Sequence, residues 1–236
     1  MRITPRLWLL LLSVPGAIPS ACGCSSTQQA RPAAAPTKSN ASPGSTPGAS
    51  EIVADAVRSD VHGFASTLSV PTDANSSAQT RLFLNGSGLC EYGIFGIDVY
   101  YAALYLEKPT SDVETAIREG GLACIEKRWC RNLSKNQLTS AWNGAFSANF
   151  GDDLPRYKAA LDRLNALMEP VEEGELTRFI VRPGSVEVTM RGKSVGFIED
   201  TALAAAFVRL YLGEHPPDRR LRSAMLAGAR YQTDRK

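Results

Sequence analysis

Residues 81–106 read RLFLNGSGLCEYGIFGIDVYYAALYL, and this stretch decides the fold class. Arg81–Asn85 is a short apolar strand candidate that runs into Gly86-Ser87-Gly88, a run expected to form a turn. Tyr92–Leu106 is long, rich in Ile, Val, Phe and Tyr, and apolar at both alternating sets of positions. Such a strand is covered on two sides, and Gly93 and Gly96 offer a bulge or bend within it.

Working outward, Asp112–Glu119 has a short helical pattern ended by Gly120-Gly121, and Leu122–Cys130 is another strand. Ser134 with Gln137 three residues on has the form of a capping box and opens a helix carrying Ala141, Phe146 and Phe150. Pro155 opens the next helix, where Leu154, Tyr157, Leu161, Leu164 and Met168 make one stripe. Leu176–Val181, Val186–Met190 and Val195–Ile198, separated by Pro183-Gly184 and Gly192, form a strand-turn-strand meander. Asp200 caps an apolar helix that runs to Gly213, and Pro216-Pro217 precedes a last helix around Arg219–Leu226. Tight turns imply antiparallel neighbours. The fold class is therefore α+β, a curved antiparallel sheet with helices layered on one face.

The N-terminal quarter has a different character. Arg2 and Arg6 precede an apolar stretch of 12 residues, Leu7–Ile18, and the small residues Ser20 and Ala21 precede Cys22. That stretch is shorter than the roughly 20 residues needed to cross a bilayer, so residues 1–24 read as an export signal peptide. Ala21-Cys22 resembles a bacterial lipobox, with Cys22 as the lipidated residue; Cys24 as acceptor, or plain cleavage after Ala21, are the alternatives. Residues 25–50 are almost wholly Ser, Thr, Ala, Pro, Gly, Gln and Asn, too polar to bury a core, and 25–69 reads as a flexible linker. The folded domain is then 70–236. The expected location is outside the cytoplasm, free in the periplasm or anchored at the cell envelope.

Removing Arg2 and Arg6 from 26 basic residues leaves them equal in number to the 24 acidic ones. Such a balance gives no electrostatic case for a nucleic-acid partner. Five cysteines, at 22, 24, 90, 124 and 130, include no pair at zinc-site spacing, and His62 and His215 are far apart, so no metal or other cofactor is expected. Cys124 and Cys130 on one strand lie about 20 Å apart, too far to bridge. Cys90 either pairs with one of them or stays a free core thiol. Gly192-Lys193-Ser194 lacks the earlier glycine of a phosphate loop, and Ser87 lacks the flanking pattern of a nucleophile elbow.

Three segments in this order and spacing resemble the chalcone isomerase-like family: Leu84–Leu89 with Val99–Leu106; Arg131-Asn132-Leu133-Ser134 leading to Trp142; and Pro183–Val186, Gly196–Ile198, Leu210–Gly213 with Pro216–Asp218. The resemblance covers about residues 80–228. It implies an open-faced β-sandwich with an apolar cleft between sheet and helices. In the plant enzymes the cleft holds a chalcone beside an arginine and polar groups; in fatty-acid-binding relatives an arginine and a tyrosine take the carboxylate.

Carried over by position, the family arginine falls at Cys90 and the sheet threonine at Tyr100, where the fatty-acid binders also have tyrosine. The helical tyrosine and asparagine fall near Leu138 and Ala145, and the late polar residue near Ala204. Losing the guanidinium removes both charge and bidentate donation. The resemblance therefore implies a non-catalytic envelope protein that binds an apolar small molecule such as a fatty acid. Tyr100, Cys90 and Arg131 are the candidate ligand contacts, Arg131 as a substitute charge. Tyr100 also has a plain reading as a hydrogen-bonded core tyrosine. An isomerase of another enone, or a structural protein whose cleft is filled by its own side chains, are the other readings.

Overall fold

The chain divides into two units, Met1–Gly48 and Ala49–Lys236, and the computed structural model describes residues 53–54, 62–73, 76–118 and 121–233, all in the second. The expected signal peptide, Cys22, Cys24 and most of the expected linker lie outside the described residues.

Eight antiparallel strands follow one another in chain order across a single curled sheet: β1 (Val53–Ala54), β2 (Thr67–Pro71), β3 (Gln79–Tyr92), β4 (Ile97–Leu106), β5 (Ala123–Trp129), β6 (Leu176–Arg182), β7 (Ser185–Met190) and β8 (Lys193–Glu199). The expected domain start at residue 70 falls inside β2, whose Leu68 and Val70 are fully buried. Helices α1 (Val113–Arg118), α2 (Lys135–Phe150), α3 (Leu154–Leu167), α4 (Thr201–Phe207), α5 (Arg209–Leu212) and α6 (Arg219–Thr233) complete it. The capping box at Ser134 is formed as the sequence indicates: Ser134 N donates to Gln137 Oε1 and Gln137 N to Ser134 Oγ.

The central strands are apolar on both faces because each face has a core. Tyr100, Ala102, Leu104 and Leu106 of β4 face the helices, with Ile125 and Trp129 of β5, Phe179 of β6 and Val188 of β7. Ala103 and Tyr105 face the other way, into a smaller core with Phe64, Leu68, Leu82, Cys124 and Ile180. Tyr105 Oη donates to the Ala65 carbonyl at 2.9 Å there. Arg182 and Glu187, both buried, form an ion pair at 2.9 Å, and Arg178 pairs with Glu126. Period-two alternation puts these charges on the side away from the helices.

Three expected boundaries change. Gly86-Ser87-Gly88 is not a turn but the middle of β3, since its glycines make room for α6. A Cβ on Gly86 would sit 2.2 Å from the Ala224 carbonyl oxygen, and one on Gly88 2.7 Å from Ala224 Cβ. Asn85, bulged out of the β3–β4 register, is fully buried and donates to the carbonyls of Met225 (2.8 Å) and Thr110 (2.9 Å). Tyr92–Leu106 is likewise not one strand. Residues 93–96 turn the chain between β3 and β4, with Gly93 and Gly96 at φ 76° and 60°, which favours glycine. The helix from Asp200 to Gly213 breaks at Val208 into α4 and α5.

The cysteines at 90, 124 and 130 are free. Cys90 faces the helices and Cys124 the opposite core, so no disulfide joins them. Gly86→Ala is expected to lower the unfolding free energy by about 3 kcal/mol, because the new methyl meets backbone rather than a movable side chain. Urea denaturation measures this; an unchanged midpoint would mean that α6 does not rest on β3.

Candidate functional site: a caged lysine between sheet and helices

On β5 the residues facing the helices are Ala123, Ile125, Lys127 and Trp129. The third is a charged residue in a core position. Lys127, paired with Ala102 of β4 and Thr177 of β6, is 6% exposed. Its Nζ lies 4.2 Å from the Tyr100 ring centre, 4.9 Å from Trp142, 5.3 Å from Trp129 and Tyr211, and 5.6 Å from Phe179. Among the described residues no carboxylate pairs with it. Aromatic faces give a cation partial compensation, on the order of 1–2 kcal/mol each at best, which is less than the cost of removing an ammonium from water.

The cage walls are fixed from outside. Trp129 Nε1 donates to Thr177 Oγ1 at 2.9 Å, and Trp142 Nε1 to Met168 Sδ at 3.3 Å. Trp142 meets Phe179 edge-on at 5.2 Å and Phe207 at 5.6 Å. Tyr100 meets Trp129 edge-on at 5.4 Å. Because the indole N–H groups are used elsewhere, these rings present only π faces and edges to the centre.

Two hydroxyls and a thiol share this space with Lys127. Cys90 stands opposite Tyr100 in the β3–β4 ladder, and their side chains hydrogen-bond. The Tyr211 hydroxyl, on α5, is buried with no hydrogen-bond partner. Burial governs the protonation of all four. It lowers Lys127 to about 8, with the nearby Cys90 opposing the shift. It raises Cys90 to about 11, against the hydrogen bond from Tyr100 and the Lys127 charge. Tyr100 and Tyr211 are pushed well above the ordinary phenol value, burial first and Cys90 second. Near neutral pH the site therefore holds three protonated acids around one titratable amine.

Of the sequence-derived contacts, Tyr100 and Cys90 come together here. Arg131 lies past the end of β5, half-buried in the connection to α2, and makes no bond to the cluster. The charge beside Tyr100 is Lys127 instead. Leu138 and Ala204 are buried on the helical side, and Ala145 is half-buried. Lys127 is absent from the sequence-derived contacts, and Trp142 and Tyr211 entered only as part of the family pattern, although Ile-Glu-Lys-Arg-Trp at 125–129 placed the lysine in phase with Ile125 and Trp129.

Phe207 packs behind the cage against Trp142, Phe179 and Tyr211. The two cavities described lie elsewhere. One of about 590 Å³ is lined by Phe150, Arg156, Tyr157, Ala205, Ala206 and Arg209, and one of about 180 Å³ by residues around Leu106, Thr110 and Leu122.

Residues 65–227 match the chalcone isomerase-like family. The chain belongs to that family. Among solved structures it is similar to a fatty-acid binding protein of Arabidopsis thaliana, at 18% identity with a TM-score of 0.53, covering 73% of this chain and 96% of that one. At this identity the likeness establishes the fold: the open-faced, curled antiparallel sheet with its helical layer. No curated protein matches the sequence.

Lys127 also gives a signed pH dependence. Between about 8 and the ordinary 10.5 the unfolded chain keeps the proton that the folded chain has lost, so this residue's contribution to stability rises with pH across that window. Below it the buried ammonium costs up to about 3 kcal/mol. Lys127→Met is expected to be more stable than the parent at pH 7, with the advantage shrinking from pH 8 to pH 10. Urea midpoints of the two proteins across that range check it; a less stable variant at pH 7 would show that the cage compensates the charge in full.

Proposed function

We propose that the domain is a non-catalytic binder of an apolar small molecule with an acidic head, such as a fatty acid, in the cleft between sheet and helices. The observation that carries this reading is the Lys127 ammonium, buried at the base of an apolar layer without a carboxylate. A protein that gained only stability at this position would keep an apolar residue there. A fatty-acid carboxylate supplies the missing anion, and the unpartnered Tyr211 hydroxyl supplies a donor to it. Tyr100 closes the same site from β4. The name of the Arabidopsis structural neighbour agrees with this ligand class. The positions where the resemblance puts the enzymes' polar groups hold Cys90, Leu138, Ala145 and Ala204, which argues against cyclisation chemistry.

One observation favours a second reading. Tyr211 of the late helices packs over Lys127 and Phe207 packs behind it against Tyr211 and Trp142, as a structural domain with no ligand would require. Titration with decanoate separates the two. Binding is expected in the parent and about 10–100-fold weaker in Lys127→Met, the scale of one charged hydrogen bond. No binding at all, with no lipid co-purifying by mass spectrometry, would leave the structural reading.

The envelope location is part of the proposal and rests on the basic-apolar-small pattern of residues 1–24 and the polar spacer after it. Cys22→Ser is expected to abolish incorporation of labelled palmitate in bacterial cells. Persistent label would move the acceptor to Cys24.

A further inference from the structure

An anion anchor uses only the charged form of Lys127, and the same burial that lowers its value to about 8 also brings the neutral amine within reach. An amine attacks carbon only when unprotonated, and a desolvated lysine with no carboxylate beside it reaches that state near neutral pH. The groups facing Lys127 are Tyr100 of β4, Trp129 of β5, Phe179 of β6, Trp142 of α2, Tyr211 of α5 and the Cys90 thiol of β3. None of them carries a negative charge near neutral pH, since burial holds both phenols and the thiol in their acid forms. The charges of neighbouring strand positions, Glu126, Arg178, Arg182 and Glu187, are paired on the opposite side of the sheet. The Tyr211 hydroxyl is a proton donor with no acceptor of its own.

We infer that Lys127 is a covalent capture site for apolar aldehydes, its Nζ forming an imine with the aldehyde carbon inside the aromatic cage. The inference rests on the reading that the cleft admits an apolar molecule, and it names a second ligand class for the same site. The amine lone pair forms a bond to the carbonyl carbon while the carbonyl π pair moves to oxygen. A proton passes from nitrogen to that oxygen, giving a carbinolamine. Tyr211 Oη then donates a proton to the hydroxyl, which leaves as water, and recovers one from nitrogen as the C=N bond forms. Both protons of the original amine leave on the water, so the step needs no oxidant or other reactant. The walls of Trp129, Trp142 and Phe179 keep bulk water from reversing it.

The test uses the full chain, decanal and cyanoborohydride, which reduces an imine to a stable amine, followed by peptide mapping by mass spectrometry. Adduct on Lys127, whose proton burial loosens, is expected at least tenfold faster than on the exposed Lys108 and Lys158. Decanoate should compete for it, and Lys127→Arg, which keeps the cation, should lose it. Because the mapping is done on the parent chain, the result stands even if that variant fails to fold. Adduct spread evenly over surface lysines while decanoate still binds would overturn the inference and leave the binding reading intact. Failure of both decanal capture and decanoate binding would overturn both.

Discussion

Strands β4, β5 and β6 are buried on both faces, and every polar side chain they carry must be compensated on its own side of the sheet. On the side away from the helices the rule is met by ion pairing. Glu126 meets Arg178 across β5–β6, Arg182 meets Glu187 across β6–β7, and Arg182 also donates to the Pro71 carbonyl at 3.0 Å. On the helical side Lys127 is one residue along from Glu126, so the pleat turns it away from every one of these acids. Its compensation is a ring of aromatic faces. The two sides of one strand thus treat charge in opposite ways: one is a closed structural network, the other an open valence.

That open valence depends on the helices being held close. The Asn85-Gly86 contact with α6 fixes the base of the layer, because glycine at 86 and 88 lets helix backbone touch strand backbone. From α6, Arg222 Nε donates to the Leu212 carbonyl at 2.7 Å, which ties down the end of α5 one residue from Tyr211. From α2, Asn149 Nδ2 donates to the His215 carbonyl at 2.8 Å, just past α5. The short segment carrying Tyr211 is therefore stitched to helices on either side, and its hydroxyl reaches the cage with nothing to bond.

The layer architecture was legible because hydrophobic periodicity and caps are local signals: the Ser134 capping box, the Pro183-Gly184 and Gly192 turns and the doubly apolar β4 all form as read. What failed were places where a residue type serves two purposes. Gly86-Ser87-Gly88 has the composition of a turn, but its glycines answer to a helix about 140 residues away in sequence. Gly93 and Gly96 read as a bend within one strand and are instead a full reversal. At the site, Tyr100 and Cys90 were accessible through resemblance, since family positions map along the chain. Lys127 was not, because its meaning lies in alternation: a lysine in phase with Ile125 and Trp129 on a strand with no exposed face. Arg131, four residues later, has the same charge but lies beyond the strand that would aim it inward.

The resemblance puts a guanidinium where this chain has Cys90, and the cation beside Cys90 now comes from the next strand but one. The exchange is not neutral chemically. An arginine stays protonated under any physiological condition and offers a flat, bidentate fork that suits planar or multidentate acceptors such as a carboxylate. A lysine in the same apolar layer is a point charge whose proton burial loosens. The thiol at 90, kept protonated by burial, adds no competing charge. The cation of this layer thus stands on β5 rather than β3, and it is one whose proton burial has loosened.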